Sequence, residues 1–128
     1  MGVRLGDDGV IVAHIPVRIT STPNERLHWT VKARRVKAQR SASFMALRAA
    51  YRAPPDWPRM KVTLTRIAPR AMDSDNLAAG FKGVRDGVAD FLKIDDGSGR
   101  VTWEYGQMKG APKEYAARIE IVDWSAAT

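Results

Sequence analysis

The chain contains no cysteine, which excludes disulfide frameworks, thiolate nucleophiles and Cys-ligated zinc. Its two histidines, His14 and His28, are too few for a His-rich metal site. No apolar run approaches the roughly 18–20 residues of a membrane span, and the opening MGVRLGDDG is too polar and acidic for a signal peptide. No repeat, low-complexity tract or linker interrupts the 128 residues. The expectation is a single domain over 1–128, cytoplasmic and with no membrane contact. A chain of this size buries roughly two-thirds of its unfolded surface, enough for a core without staples.

Acid is scarce over a long stretch. Residues 26–70 hold twelve bases and one acid, Asp56, whereas residues 71–128 hold ten acids and seven bases. The whole chain carries +7. A basic segment attracts phosphate by counterion release, so nucleic acid is the first partner to consider. Arg26, Lys32, Arg34, Arg35, Lys37, Arg40, Arg66 and Arg70 are the candidate DNA contacts. A solvated face is the plainer reading of the same residues. The acids downstream shift the balance, because a pure nucleic-acid binder has little use for carboxylates beside phosphates and a metal-dependent nuclease needs them.

The hydrophobic pattern orders the elements as β-α-β-α-β-β. Residues 9–19 read as a strand with Ile11, Ala13, Ile15, Val17 and Ile19 on one face. Pro16 lacks an amide donor and suggests an edge position or a bulge. Thr22, Pro23 and Glu25 fit a capping box at the start of a helix over about 24–52. The later half of that helix has an apolar stripe of Val36, Phe44, Leu47 and Tyr51. Residues 59–68 alternate as a strand with Met60, Val62 and Leu64 inward. Leu77, Phe81, Val84, Val88 and Phe91 define an amphipathic helix over 75–92. Val101, Trp103 and Tyr105 alternate as a strand, Gly110-Ala111-Pro112 turns, and 115–122 returns as another. The fold class is α+β: a mixed sheet of about four strands with two main helices.

The chemistry concentrates in Asp73-Ser74-Asp75-Asn76, Lys82, Asp86 and Asp95-Asp96. Two carboxylates at i and i+2 point the same way where the chain is extended. Mg²⁺ takes such oxygen ligands and keeps several waters. It can then activate water for phosphodiester hydrolysis, with Lys82 neutralising charge on the phosphate. An N-cap role for Asp73 or Asp75, and turn chemistry for Asp95-Asp96, are the plainer alternatives. On a helical wheel Asp75, Lys82 and Asp86 fall within about 40° of one another, opposite the apolar stripe. Gly80, Gly83 and Gly87 line a third side. Each costs about 1 kcal/mol in a helix, which implies close packing against another backbone, and a subunit contact would supply it.

These motifs resemble the RusA family of Holliday-junction resolvases. That family has an Asp-x-Asp-Asn motif opening a helix, a Lys followed four residues later by Asp, and an Asp-Asp pair after the helix. Pro23-Asn24-Glu25-Arg26-Leu27-His28-Trp29 also resembles its phage members. The likeness covers roughly residues 10–122. It implies a homodimer that uses Mg²⁺ to cut four-way DNA junctions symmetrically. It assigns metal binding to Asp73, Asp75 and Asp96, with Asp95 as a substitute, and catalysis to Asp73, Asp75, Asp96 and Lys82. Lys82 stands about one helical turn later than the best-known member has it.

A continuous helix over 75–92 is about 27 Å long, and residues 93–96 return only about 14 Å. Either the helix bends or stops early, near Gly83 or Gly87, or the third acid comes from a second copy. Four rival readings remain: a non-catalytic DNA-binding module, a phosphohydrolase for small substrates using Asp73-x-Asp75, a calcium loop, and a degenerate resolvase. The phosphohydrolase is weakened by the missing hydrophobic strand before Asp73, and the calcium loop by irregular oxygen spacing. His28 beside Trp29 is assigned to packing ahead of DNA stacking, and Trp57, Trp103 and Trp124 to core or interface.

Overall fold

A computed structural model describes residues 9–20, 29–95 and 97–125. The expected capping box at Thr22–Glu25, together with Arg26, His28 and Asp96, lies outside the described residues. The protein is α+β, with a mixed four-stranded sheet and three helices. In chain order the elements are β1 (Val10–Ile15), α1 (Trp29–Ala50), β2 (Met60–Ala68), α2 (Ser74–Gly80), α3 (Lys82–Leu92), β3 (Val101–Lys109) and β4 (Ala116–Asp123). The strands lie in the order β1-β4-β2-β3. β4 runs antiparallel to both β1 and β2, while β2 and β3 are parallel, joined by the α2–α3 crossover. β1 is therefore an edge strand, and Pro16 directly follows its last residue, where no ladder amide is required.

Period-two alternation sets the inner face of the sheet. Ile11, Ala13, Ile15, Met60, Val62, Leu64, Ala117, Ile119 and Ile121 are all buried there. Leu47, Tyr51, Leu77, Phe81, Val84, Val88 and Phe91 join them from the helices in one core. The Tyr51 hydroxyl accepts a hydrogen bond from the Val12 amide of β1 at 3.2 Å, which fixes the end of α1 over the edge strand.

The second helix is divided. Phe81 has φ −91° and ψ 5°, and its amide is shared between the carbonyls of Leu77 and Ala78 at 3.2 Å each. The break falls at Phe81, two residues before Gly83, and the continuous helix over 75–92 is corrected accordingly.

The glycine stripe does face another backbone, but within the same chain. A Cβ on Gly83 would lie 2.6 Å from the Val36 carbonyl oxygen and 2.8 Å from the Gln39 Cβ. One on Gly87 would meet the Arg40 carbonyl oxygen, and one on Gly80 would lie 2.8 Å from the Thr20 carbonyl oxygen. The expected subunit contact along this stripe is replaced by α1 packed on α3. This close approach also explains why α1 buries Gln39, Ser43 and Leu47 while Phe44 is 36% exposed. A large side chain does not fit where two helix backbones nearly touch, so the inward positions are short or polar. Ser43 satisfies its hydroxyl on the Gln39 carbonyl at 2.7 Å, and Gln39 donates to the Arg18 carbonyl at 3.1 Å.

Across the same helix pair Arg40 makes a bidentate contact with Asp90, at 2.6 and 2.8 Å. The hydrogen bond from Arg40 holds the Asp90 carboxyl below its ordinary pKa. A carboxyl with a depressed folded-state pKa stabilises above its unfolded value, about 3.9, and loses that contribution as pH falls through the folded value. Lowering the pH from about 5 to 2 is therefore expected to reduce the urea midpoint of the wild type more than that of Arg40→Gln. Parallel acid slopes for the two proteins would show that the pair adds nothing.

Candidate functional site

Asp73 and Asp75 enter as the chain leaves β2 and starts α2. Asp73 occupies the N-cap position with extended backbone, φ −61° and ψ 135°, but its carboxylate makes no capping hydrogen bond. The Asn76 amide bonds instead to the Asp73 carbonyl at 3.0 Å. Asp73 and Asp75 are both exposed. Neither carboxylate has an ion-pair partner among the described residues. The cap explanation for Asp73 is thus removed, and two exposed carboxylates flank the helix start.

The segment before them is pinned by side chains. The Gln107 amide group receives the Met72 amide at 2.9 Å and donates to the Met72 carbonyl at 2.9 Å. Arg66 donates to the Arg70 carbonyl at 2.6 Å, to the Ile19 carbonyl at 3.0 Å and to Gln107 at 3.3 Å. Burial, and then the neighbouring Arg18, lowers the Arg66 pKa from its ordinary value. Arg66 therefore builds the site, and its contacts go to two backbone carbonyls and the Gln107 side chain.

Lys82 and Asp95 lie at opposite ends of α3. They share a cavity of about 350 Å³ with Arg40, Asp86 and Asp90. Lys82 pairs with Asp86 at 3.3 Å, four residues along α3. Met72 is tied to Gln107 near the end of β3, whereas the Asp95 carbonyl accepts the Ser98 amide just before β3 begins. The six-residue stretch of strand between Val101 and Gln107 sets these ends about 20 Å apart. Asp73 and Asp75 thus flank the start of α2, while Asp95 follows the far end of α3 and is not joined to them within one chain. Among the described residues no three His, Asp or Glu side chains come close enough to hold one ion. Asp73 and Asp75 nevertheless suit the usual Mg²⁺ mode, one or two carboxylates with waters and substrate phosphate filling the remaining positions.

The basic segment divides in the same way. α1 has 22 residues and no acid. Arg34, Lys37 and Arg48 are exposed on it, and Lys32 is half-buried. Arg35 is occupied by the Thr20 hydroxyl at 2.7 Å, and Arg40 by Asp90. Trp29, at the start of α1, is 72% exposed. Trp57 and Trp103 pack against the core, while Trp124 lies under the Lys61 ammonium at 5.3 Å.

Two residues near the chain's exit from β2 were not anticipated from the sequence: Gln107 and Lys109. Their only sequence signal is the continuation of the β3 alternation past Tyr105. The parallel register then places Lys109 opposite Ala68, at the exit from β2.

No family model matches the chain. It is 40% identical over 80 residues, 59% of its length, to an uncharacterised protein of Xylella fastidiosa (strain Temecula1 / ATCC 700964). The matched part spans about half, 52%, of that relative. No helix of the described residues is long and apolar enough to cross a membrane.

Proposed function

We propose that the protein is a Mg²⁺-dependent endonuclease for branched DNA, a RusA-like resolvase that nicks four-way junctions in the cytoplasm. The observation that supports it most directly is the pair of exposed carboxylates, Asp73 and Asp75, without ion-pair partners among the described residues, where the chain leaves β2 and starts α2. Mg²⁺ bound there supplies charge neutralisation on a phosphodiester and an activated water. The chain's own part is positional. Gln107 and Arg66 fix the 70–72 segment, which sets the two carboxylates before any ligand arrives. Arg34, Lys37 and Arg48 on the acid-free helix follow the DNA backbone and carry no base information.

The separation of Asp73 from Asp95 gives the homodimer a chemical purpose in this reading. A second copy related by a two-fold axis brings one chain's Asp95, with Asp96 next in sequence, to the other's Asp73 and Asp75. Two such composite sites match the symmetry of a junction. The contact surface is not the glycine stripe, since α1 covers Gly83 and Gly87. A non-catalytic DNA-binding protein is the second reading, favoured by the Lys82–Asp86 and Arg40–Asp90 pairs, which give those acids structural roles.

Incubation with a synthetic four-way junction separates the two. The resolvase binds without Mg²⁺ and yields paired, symmetric nicks when Mg²⁺ is added. Binding under both conditions with no cutting at any Mg²⁺ concentration selects the second reading.

A further inference from the structure

We propose that the pocket at the C-terminal ends of β2 and β3 is a phosphate subsite, with Arg70 and Lys109 as its contacts. The inference rests on the nuclease reading only for the identity of the ligand, a DNA phosphodiester next to the one addressed by Asp73 and Asp75. The pocket has a volume of about 200 Å³, and its wall includes Arg66, Arg70, Gln107 and Lys109 but no carboxylate.

Three features of the fold lead there. First, β2 and β3 are parallel neighbours that end together, with Ala68 opposite Lys109. In open sheets, ligands gather at the carboxyl ends of parallel strands, where the chain turns away and leaves a crevice. Second, the charged side chains in the pocket wall are all cations, and the nearby Glu114 carboxylate is engaged by the Ala111 amide at 2.7 Å. Arg70 and Lys109 are exposed, and neither side chain has an ion-pair partner among the described residues. Arg66 behind them spends its hydrogen bonds on neutral oxygens, so its charge also remains. A phosphate entering this concavity meets Arg66, Arg70 and Lys109 together and forms charge-assisted hydrogen bonds there. Third, the wall is rigid. Gln107 contacts both Arg66 and Met72, and the Gly110 amide closes onto the Ala68 carbonyl at 2.9 Å. A phosphate in this pocket lies within a few residues of Asp73, so Arg70 and Lys109 serve to seat the strand.

Calorimetric titration without Mg²⁺ tests this, using inorganic phosphate and the diester dinucleotide of thymidine as separate probes. The wild type is expected to bind both, the dinucleotide more tightly. Arg70→Gln with Lys109→Gln is expected to weaken dinucleotide binding tenfold or more. Both side chains are exposed, so the fold is retained. The charge-matched control, Arg52→Gln with Arg59→Gln, at two exposed cations away from the pocket, is expected to change it less than twofold. Equal losses from the two double variants mean diffuse attraction and overturn the subsite, as does unchanged binding in the first. Tighter binding of inorganic phosphate than of the dinucleotide overturns the assignment to DNA. Selective loss of dinucleotide binding, in a protein that never cuts junctions, leaves the subsite standing and removes the nuclease reading.

Discussion

Replacing Gly83 with alanine is expected to destabilise the protein by about 2 kcal/mol, the reverse of its effect in an exposed helix, where alanine gains about 1 kcal/mol. The sign turns on what the new methyl meets. It would lie 2.6 Å from the Val36 carbonyl oxygen and 2.8 Å from the Gln39 Cβ, atoms of a packed helix rather than the tip of a flexible side chain. α1 must move away from α3, and its buried Ser43 and Leu47 lose contacts along the whole interface. Gly87→Ala acts on the same interface through the Arg40 carbonyl. The two changes are expected to be less than additive, because the first already separates the helices. Urea midpoints of the two single variants and the double measure this. A neutral or stabilising Gly83→Ala would mean that the helices sit farther apart than described.

The largest expected effect on activity comes from Asp75→Asn. Junction cleavage in Mg²⁺ is expected to fall by more than about 100-fold, since even groups that only support a metal ligand are worth about 10–100-fold. Binding in the absence of Mg²⁺ should stay equal or tighten, because a negative charge beside phosphate is removed. Stability should change by less than about 0.5 kcal/mol, as expected for an exposed side chain with no ion-pair partner among the described residues. Band-shift and nicking assays on one labelled junction give both readouts. Undiminished nicking would remove Asp75 from the catalytic set. Mixing Asp75→Asn chains with Asp96→Asn chains extends the experiment: a site shared between copies regains one intact centre per heterodimer, and a site within one chain regains none.

Much of this architecture is legible in the residues themselves. Alternation at Ile11-Ala13-Ile15 and Met60-Val62-Leu64 identifies both strands and their buried face, because period two has one interpretation once a sheet forms. The spacing of Leu77, Phe81, Val84, Val88 and Phe91 identifies the core side of α2 and α3 equally well. α1 is harder. Its buried side carries Gln39 and Ser43, and Phe44 points outward, so an apolar stripe misplaces its face. The cause lies some forty residues away, in glycines that admit a neighbouring backbone. A glycine stripe announces that some backbone is near, and only the fold says which one.

The candidate site divides along the same line. Asp73 and Asp75 are visible as types and spacing, and the structure adds that no capping bond occupies Asp73. Arg66 and Arg70 look alike in the sequence. In the fold one holds three oxygens in place and the other faces outward. Gln107 has no sequence signature, because its role depends on the register that sets β3 beside the exit from β2.

That side-chain amide reads Met72 as a neighbouring strand would, one donor and one acceptor to the same residue. The chain beyond β2 is thereby tied back to a residue inside the β2–β3 ladder, and the placement of the first aspartate is inherited from strand pairing. Chain length becomes a constraint in one connection and a freedom in others. Homologues can lengthen or shorten the turn at 110–115 without disturbing that tie. The passage from Pro69 to Met72 must keep its count, since a single inserted residue would put a different backbone unit against Gln107 and swing the aspartates off their mark.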